Sequence, residues 1–158
     1  MIDIFSVLGH RLAAFGKTPD TVEVVRRAAV ENPWFLPQEI IRAVKAIRCE
    51  MLERQRLEAW AGAYPPVRTP KRVLVVMAGN IPLVCLFDLL CVLASGHACR
   101  VKPSSKDTVL IGYVVDLLRT IDPAIPLRMA EQGERLDAVI ATGSDNANRY
   151  FRMLFGGI

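Results

Sequence analysis

Val73-Leu74-Val75-Val76-Met77-Ala78, followed at once by Gly79-Asn80-Ile81-Pro82, is the stretch that decides the fold. An unbroken apolar run rich in β-branched residues suits a strand covered on both faces, as in a parallel sheet. Downstream, Leu83 to Ala94 reads as an apolar helix, Ala98 to Lys102 as a second strand, and Thr108 to Arg119 as an amphipathic helix begun by Ser105 or Asp107. Asp122-Pro123 and Pro126 mark turns. Leu127 to Ala130 can form a short strand, Ala138 to Ala141 another buried one, and a last helix is expected from about Asn146 to Leu154, before Gly156-Gly157. The βαβαβ alternation predicts a right-handed, doubly wound parallel sheet of Rossmann type, with ligands at the C-terminal ends of its strands.

Upstream the periodicity changes at Tyr64-Pro65-Pro66, which sets a boundary between a helical region, 1–64, and a partial nucleotide-binding βαβ region, 70–158. Three helices are expected before it. Ile4, Leu8, Leu12 and Phe15 recur at helical spacing, and Gly16 is placed to end that helix in a left-handed conformation. Thr18 can cap the second helix, with Pro19 in its first turn, until Asn32-Pro33 stops it. The third starts near Pro37 and carries Ile40, Val44, Ile47 and Met51 on one face, and Trp60 continues its apolar contacts. Trp34 and Phe35 read as core.

The chain has 158 residues and a mass of 17.5 kDa, too short for a typical two-domain enzyme. With 52% hydrophobic and 23% charged residues it has the composition of a folded chain. The formal charge of +4 comes wholly from residues 1–72, where Arg42, Lys45, Arg48, Glu50, Glu53, Arg54, Arg56 and Glu58 alternate in sign as on a solvated helix face. No aromatic-interleaved basic stretch points to nucleic acid. Cys49, Cys85, Cys91 and Cys99 form no CxxC pair and have only His10 and His97 as co-ligands, so no metal site is expected; they read as buried free thiols of a reducing, cytoplasmic compartment. No signal peptide opens the chain. Gly79-Asn80, Pro82 and Asp88 interrupt Val73 to Ser95, leaving no membrane span.

Three segments fall where a doubly wound sheet holds ligands: Ala78-Gly79-Asn80-Ile81-Pro82, Lys102-Pro103-Ser104-Ser105-Lys106, and Ala141-Thr142-Gly143-Ser144-Asp145-Asn146. Each alone is an ordinary loop; together they form a pattern. No GxGxxG is present, so phosphate binding would rest on a lysine, hydroxyls and the free N–H groups of the helix that starts after Gly143-Ser144.

With Met77 to Leu83, Ser95-Gly96-His97, Lys102 to Asp107, Ala138 to Ser144, Arg149-Tyr150-Phe151 and Asn32-Pro33-Trp34-Phe35, the chain resembles the aldehyde dehydrogenase superfamily. Within it, the likeness is to the acyl-CoA reductase branch related to the fatty-acid reductase of bacterial luminescence. The resemblance implies an α/β fold, with N-terminal helices followed by a partial doubly wound, aldehyde-dehydrogenase-type sheet. It also implies NADPH-dependent reduction of a fatty acyl thioester, such as an acyl-CoA, to an aldehyde through an acyl-cysteine. Asn80 would then stabilise the thioester oxygen, Lys102 would reach the adenosine ribose, Ser104 would line its pocket, and Gly143 and Ser144 would approach the pyrophosphate. Where many NAD-using relatives carry a glutamate, two residues after the proline, stands Ser105, followed by Lys106, a pair that would accept a 2′-phosphate.

The family's nucleophilic cysteine lies in a catalytic domain downstream of these motifs, and no cysteine here matches it. The chain therefore reads as a truncated part of the larger enzyme, inactive alone. Alternatives are a non-catalytic nucleotide-binding module and a helical interaction protein without a ligand. An open sheet edge predicts a homo-oligomer, most simply a two-fold dimer.

Overall fold

A computed structural model describes residues 1–65, 67–143 and 145–156 of the chain. Four α-helices open it: α1 (Ile2–Arg11), α2 (Pro19–Glu31), α3 (Pro37–Met51) and α4 (Arg54–Ala61). The sequence predicts three. The difference arises at Leu52-Glu53, where the backbone turns extended at Glu53 and Leu52 is buried against α1. A Cβ on Gly9 would lie 3.0 Å from Leu52 Cβ, so the two segments meet at a residue that has no side chain to keep them apart. Gly16 has φ +76°, as its position after the first helix requires, although α1 ends at Arg11 and a 3-10 turn (Leu12–Ala14) fills the gap. Thr18 and Thr21 form a reciprocal capping box at the start of α2.

The second half alternates as expected: β1 (Arg72–Val76), α5 (Leu86–Ala94), β2 (Ala98–Lys102), α6 (Thr108–Ile121), β3 (Leu127–Met129), β4 (Ala138–Ala141) and α7 (Asp145–Phe155). The four strands form one all-parallel sheet in the order β3-β2-β1-β4, a partial Rossmann-like arrangement. Register and alternation sort its faces. Val73, Val75, Met77, Cys99, Val101 and Leu127 join one core cluster with α5 and α6, and that cluster continues without a break into α1, α2, α3 and α4. The N-terminal helices thus form an outer layer: α1 and α2 pack on α6, and α4 packs on α1. Leu74 and Val76 are buried on the reverse face, outside that cluster.

From β3 to β4 the chain changes edges through residues 130–137, which contain no helix. Arg100, on the reverse face, pairs with Glu134 of this strap, while the Arg72 N–H donates to Asp137 Oδ2 at its end (2.8 Å). β4 is less covered than a buried strand would be: as an edge strand it leaves Ile140 37% exposed and the rest of its side chains only half-buried. The apolar helix after β1 also starts later than its composition suggests. Residues 82–85 are turns, with Leu83 at φ +58°. Among the described residues no helix is long and apolar enough to cross a membrane.

Candidate functional site

The order of the strands already places a crevice. From β1 the chain moves through α5 to β2 on one side, while β4 lies on the other, so the loops after β1 and β4 diverge where the winding reverses. A cleft of about 1040 Å³ opens there, lined by Asn32, Trp34, Ala78, Gly79, Asn80, Val84, Ser104, Lys106, Thr142 and Gly143. Residues from all three sequence segments meet in it: Asn80 from the first, Ser104 and Lys106 from the second, Gly143 from the third. Lys102 and Ser105 do not line it; Lys102 ends β2 in register with Val76, on the reverse face. Ser144 lies outside the described residues.

The first two loops are pressed together at Gly79. A Cβ there would stand 2.5 Å from Ser104 Oγ and 2.7 Å from Ser104 Cβ, closer than such atoms approach, so the contact exists because residue 79 has no side chain. The Met77 N–H donates to Lys102 O (2.9 Å) and extends the β1–β2 ladder up to the loops. Within the second loop the Lys106 N–H donates to Ser104 Oγ (3.2 Å), which holds the hydroxyl beside the lysine. On the far wall the Thr142 hydroxyl meets Asp88 Oδ2 at 3.4 Å.

Asn32, which the sequence reads as a helix stop and as part of the Asn32-Pro33-Trp34-Phe35 motif, and Glu31, which it does not single out, hold this assembly. Asn32 is buried and donates from Nδ2 to Gly79 O (3.2 Å), fixing the first loop from outside the sheet. Glu31 takes the start of α6: its Oε2 accepts the N–H groups of Thr108 (2.9 Å) and Val109 (3.1 Å), and its other oxygen meets the Thr108 hydroxyl. Asp107 stands at the N-cap position of α6 yet makes no cap bond. Its Oδ2 accepts instead the N–H of Leu83, the residue with the left-handed backbone (2.8 Å), and its Oδ1 is buried without a partner. Burial, and to a lesser extent the nearby Glu31 carboxylate, push the Asp107 carboxyl up to about 7, against the Leu83 N–H, which lowers it. A helix start capped from another element, by a carboxylate 77 residues away in sequence, leaves no local spacing signal.

Trp34 reverses the core expectation. Phe35 beside it is buried, but Trp34 is 88% exposed on the rim of the cleft.

No described cysteine lines the cleft. Cys85 lies buried beneath it, its sulfur accepting the Ala78 N–H (3.3 Å), and burial raises its thiol. Burial likewise raises Cys91, and it pushes Cys99 up to about 12. None of the three is poised as a thiolate nucleophile. Among the described residues no three His, Cys, Asp or Glu side chains gather as a metal site.

The donor set of the cleft suits an anionic, oxygen-rich ligand: one ammonium, hydroxyls, two carboxamides and glycine backbone, with no carboxylate among the described lining residues and Asp88 set behind Thr142. No family model and no curated protein matches the chain, so the reading of this cleft rests on its own residues and geometry.

Proposed function

We propose that the cleft at the strand-order switch binds NADPH, and that the chain is the N-terminal, cofactor-binding part of an acyl-CoA reductase of the aldehyde dehydrogenase type. The observation that carries this reading is the convergence of Asn80, Ser104, Lys106 and Gly143, spread over 64 positions of sequence, on one cleft at the C-terminal ends of β1, β2 and β4 whose described lining holds no carboxylate. Lys106 and the Ser104 hydroxyl supply charge-assisted and neutral hydrogen bonds to phosphate and ribose oxygens, and the missing acidic side chain removes the repulsion that a 2′-phosphate would meet. Gly143 lets a ligand approach the backbone closely. The bound nucleotide supplies hydride to the acyl carbon. Asn80, exposed on the same cleft, offers its amide to the acyl oxygen, where negative charge develops.

Acyl transfer itself needs a thiolate on a further domain, since none of the four cysteines lines the cleft and burial suppresses Cys85, Cys91 and Cys99. That same observation favours a second reading, a nucleotide-binding module with no catalytic step of its own. Calorimetric titration with NADPH and NADH tests the shared part: NADPH binds more tightly, and Lys106→Ala removes the preference. Equal affinities for the two cofactors, or a preference that survives Lys106→Ala, overturn it. Adding a catalytic-domain chain and an acyl-CoA then separates the two readings by aldehyde formation.

A further inference from the structure

An indole left 88% exposed is unusual for so large an apolar side chain, and the backbone around Trp34 shows that its exposure is built in. Asn32 is the hub. Its Oδ1 accepts the Trp34 N–H (3.1 Å), its carbonyl accepts the Phe35 N–H (2.8 Å), and its Nδ2 is bound to Gly79 O. With Asn32 and Phe35 both buried on either side, the Pro33-Trp34 corner is anchored with its ring turned away from the core. The indole is therefore held out at the cleft rim by a side chain that also fixes the Gly79 loop.

What faces it decides the occupant. Among the described residues the same cleft carries the Lys106 ammonium and the Ser104 hydroxyl and no lining carboxylate, which suits a partner that brings both a flat π-face and anionic oxygens. A purely apolar helix from another protein would satisfy the indole and leave Lys106 without a counter-charge. A nucleotide satisfies both at once, because every base has a stacking face and the phosphates lie within the same molecule. We infer that Trp34 is the stacking wall for the nucleobase of the bound nucleotide; this rests on the cleft being the nucleotide site.

The test is calorimetry on the whole chain with three probes, NADPH, adenosine 2′,5′-bisphosphate and inorganic pyrophosphate, against wild type, Trp34→Ala, Trp34→Phe and Lys106→Ala. Trp34→Ala is expected to weaken both adenine-bearing probes by about 10- to 100-fold, the range for loss of a base-stacking aromatic. It should leave pyrophosphate, which has no ring, unchanged. Trp34→Phe keeps a ring and should recover most of the affinity, while Lys106→Ala weakens all three. Replacing so exposed a residue leaves the core intact, which circular dichroism checks. If Trp34→Ala keeps wild-type affinity for both adenine-bearing probes while Lys106→Ala weakens them, the nucleotide reading stands and the role of Trp34 falls. Loss with NADPH alone overturns the assignment to the nucleobase. If no probe binds the wild-type chain, both readings fail together.

Discussion

Replacing Asp107 by Asn tests the buried carboxyl that ties α6 to the turn at Leu83. In the folded chain burial pushes this carboxyl up to about 7, against 3.8 for an aspartate open to solvent. The native state therefore holds the proton over a window in which the unfolded state has lost it. Stability from this group is fully present below about pH 4 and falls as pH rises through 7. The full displacement corresponds to about 4 kcal/mol. Between pH 5 and 8 the part lost is about 2–3 kcal/mol. Asp107→Asn keeps an acceptor for the Leu83 N–H but cannot ionise, so its denaturation midpoint should lack this component. The assay is urea denaturation of both proteins at several pH values. Subtracting the two curves cancels every other titrating group, and the variant should gain about 2–3 kcal/mol on wild type from pH 5 to 8. Glu31→Gln, which removes the neighbouring negative charge, should shift the wild-type window to lower pH. Parallel curves for wild type and Asp107→Asn, separating by less than about 0.5 kcal/mol over that range, would refute the reasoning.

Gly79→Ala forces a Cβ into Ser104 and should cost about 1–3 kcal/mol by urea denaturation, with weaker NADPH binding because the two loops must part. Glu31→Ala removes the acceptor for two N–H groups of α6 and should cost about 1–2 kcal/mol in the same assay. Mass spectrometry of alkylated native protein should find Cys99 and Cys85, both buried with raised thiols, labelled last; early labelling of either would contradict their burial. Light scattering at micromolar concentration should give a dimer, since β4 ends the sheet with its outer edge unpaired among the described residues and Ile140 exposed. A stable monomer would remove that expectation.

The parts of the fold that were legible are those whose signal is local. A strand buried on both faces must be apolar at every position, and Val73 to Met77 satisfies this without reference to anything else in the chain. The bounds of β2 also agree with the sequence reading. Ala138 to Ala141 was legible as a strand but not as an edge, because its four apolar residues look the same whether or not a neighbour covers them. The break between α3 and α4 was hidden for a related reason. Leu52 is one more apolar residue after Met51, and its packing against Gly9, where the helix stops, is a long-range contact with no local signal.

The site divides along the same line. Asn80, Ser104, Lys106 and Gly143 lie on loops after strands, and the topology of a doubly wound sheet brings such loops together whatever their sequence. Asn32 and Trp34 reach the cleft, and Glu31 the start of α6, from a different layer, across a contact that no spacing rule foresees. The consequence bears on how the molecule can work. The C-terminal end of α2 fixes the loop after β1 through Asn32 and the start of the helix after β2 through Glu31, while α2 itself packs along α6. Ligand-binding loops usually open more readily than the core around them. Here two are tied to the outer helical layer, so the N-terminal helices act on the site rather than merely cover it. Removing them would expose apolar core and also release the Gly79 carbonyl and two N–H groups of α6 beside the cleft.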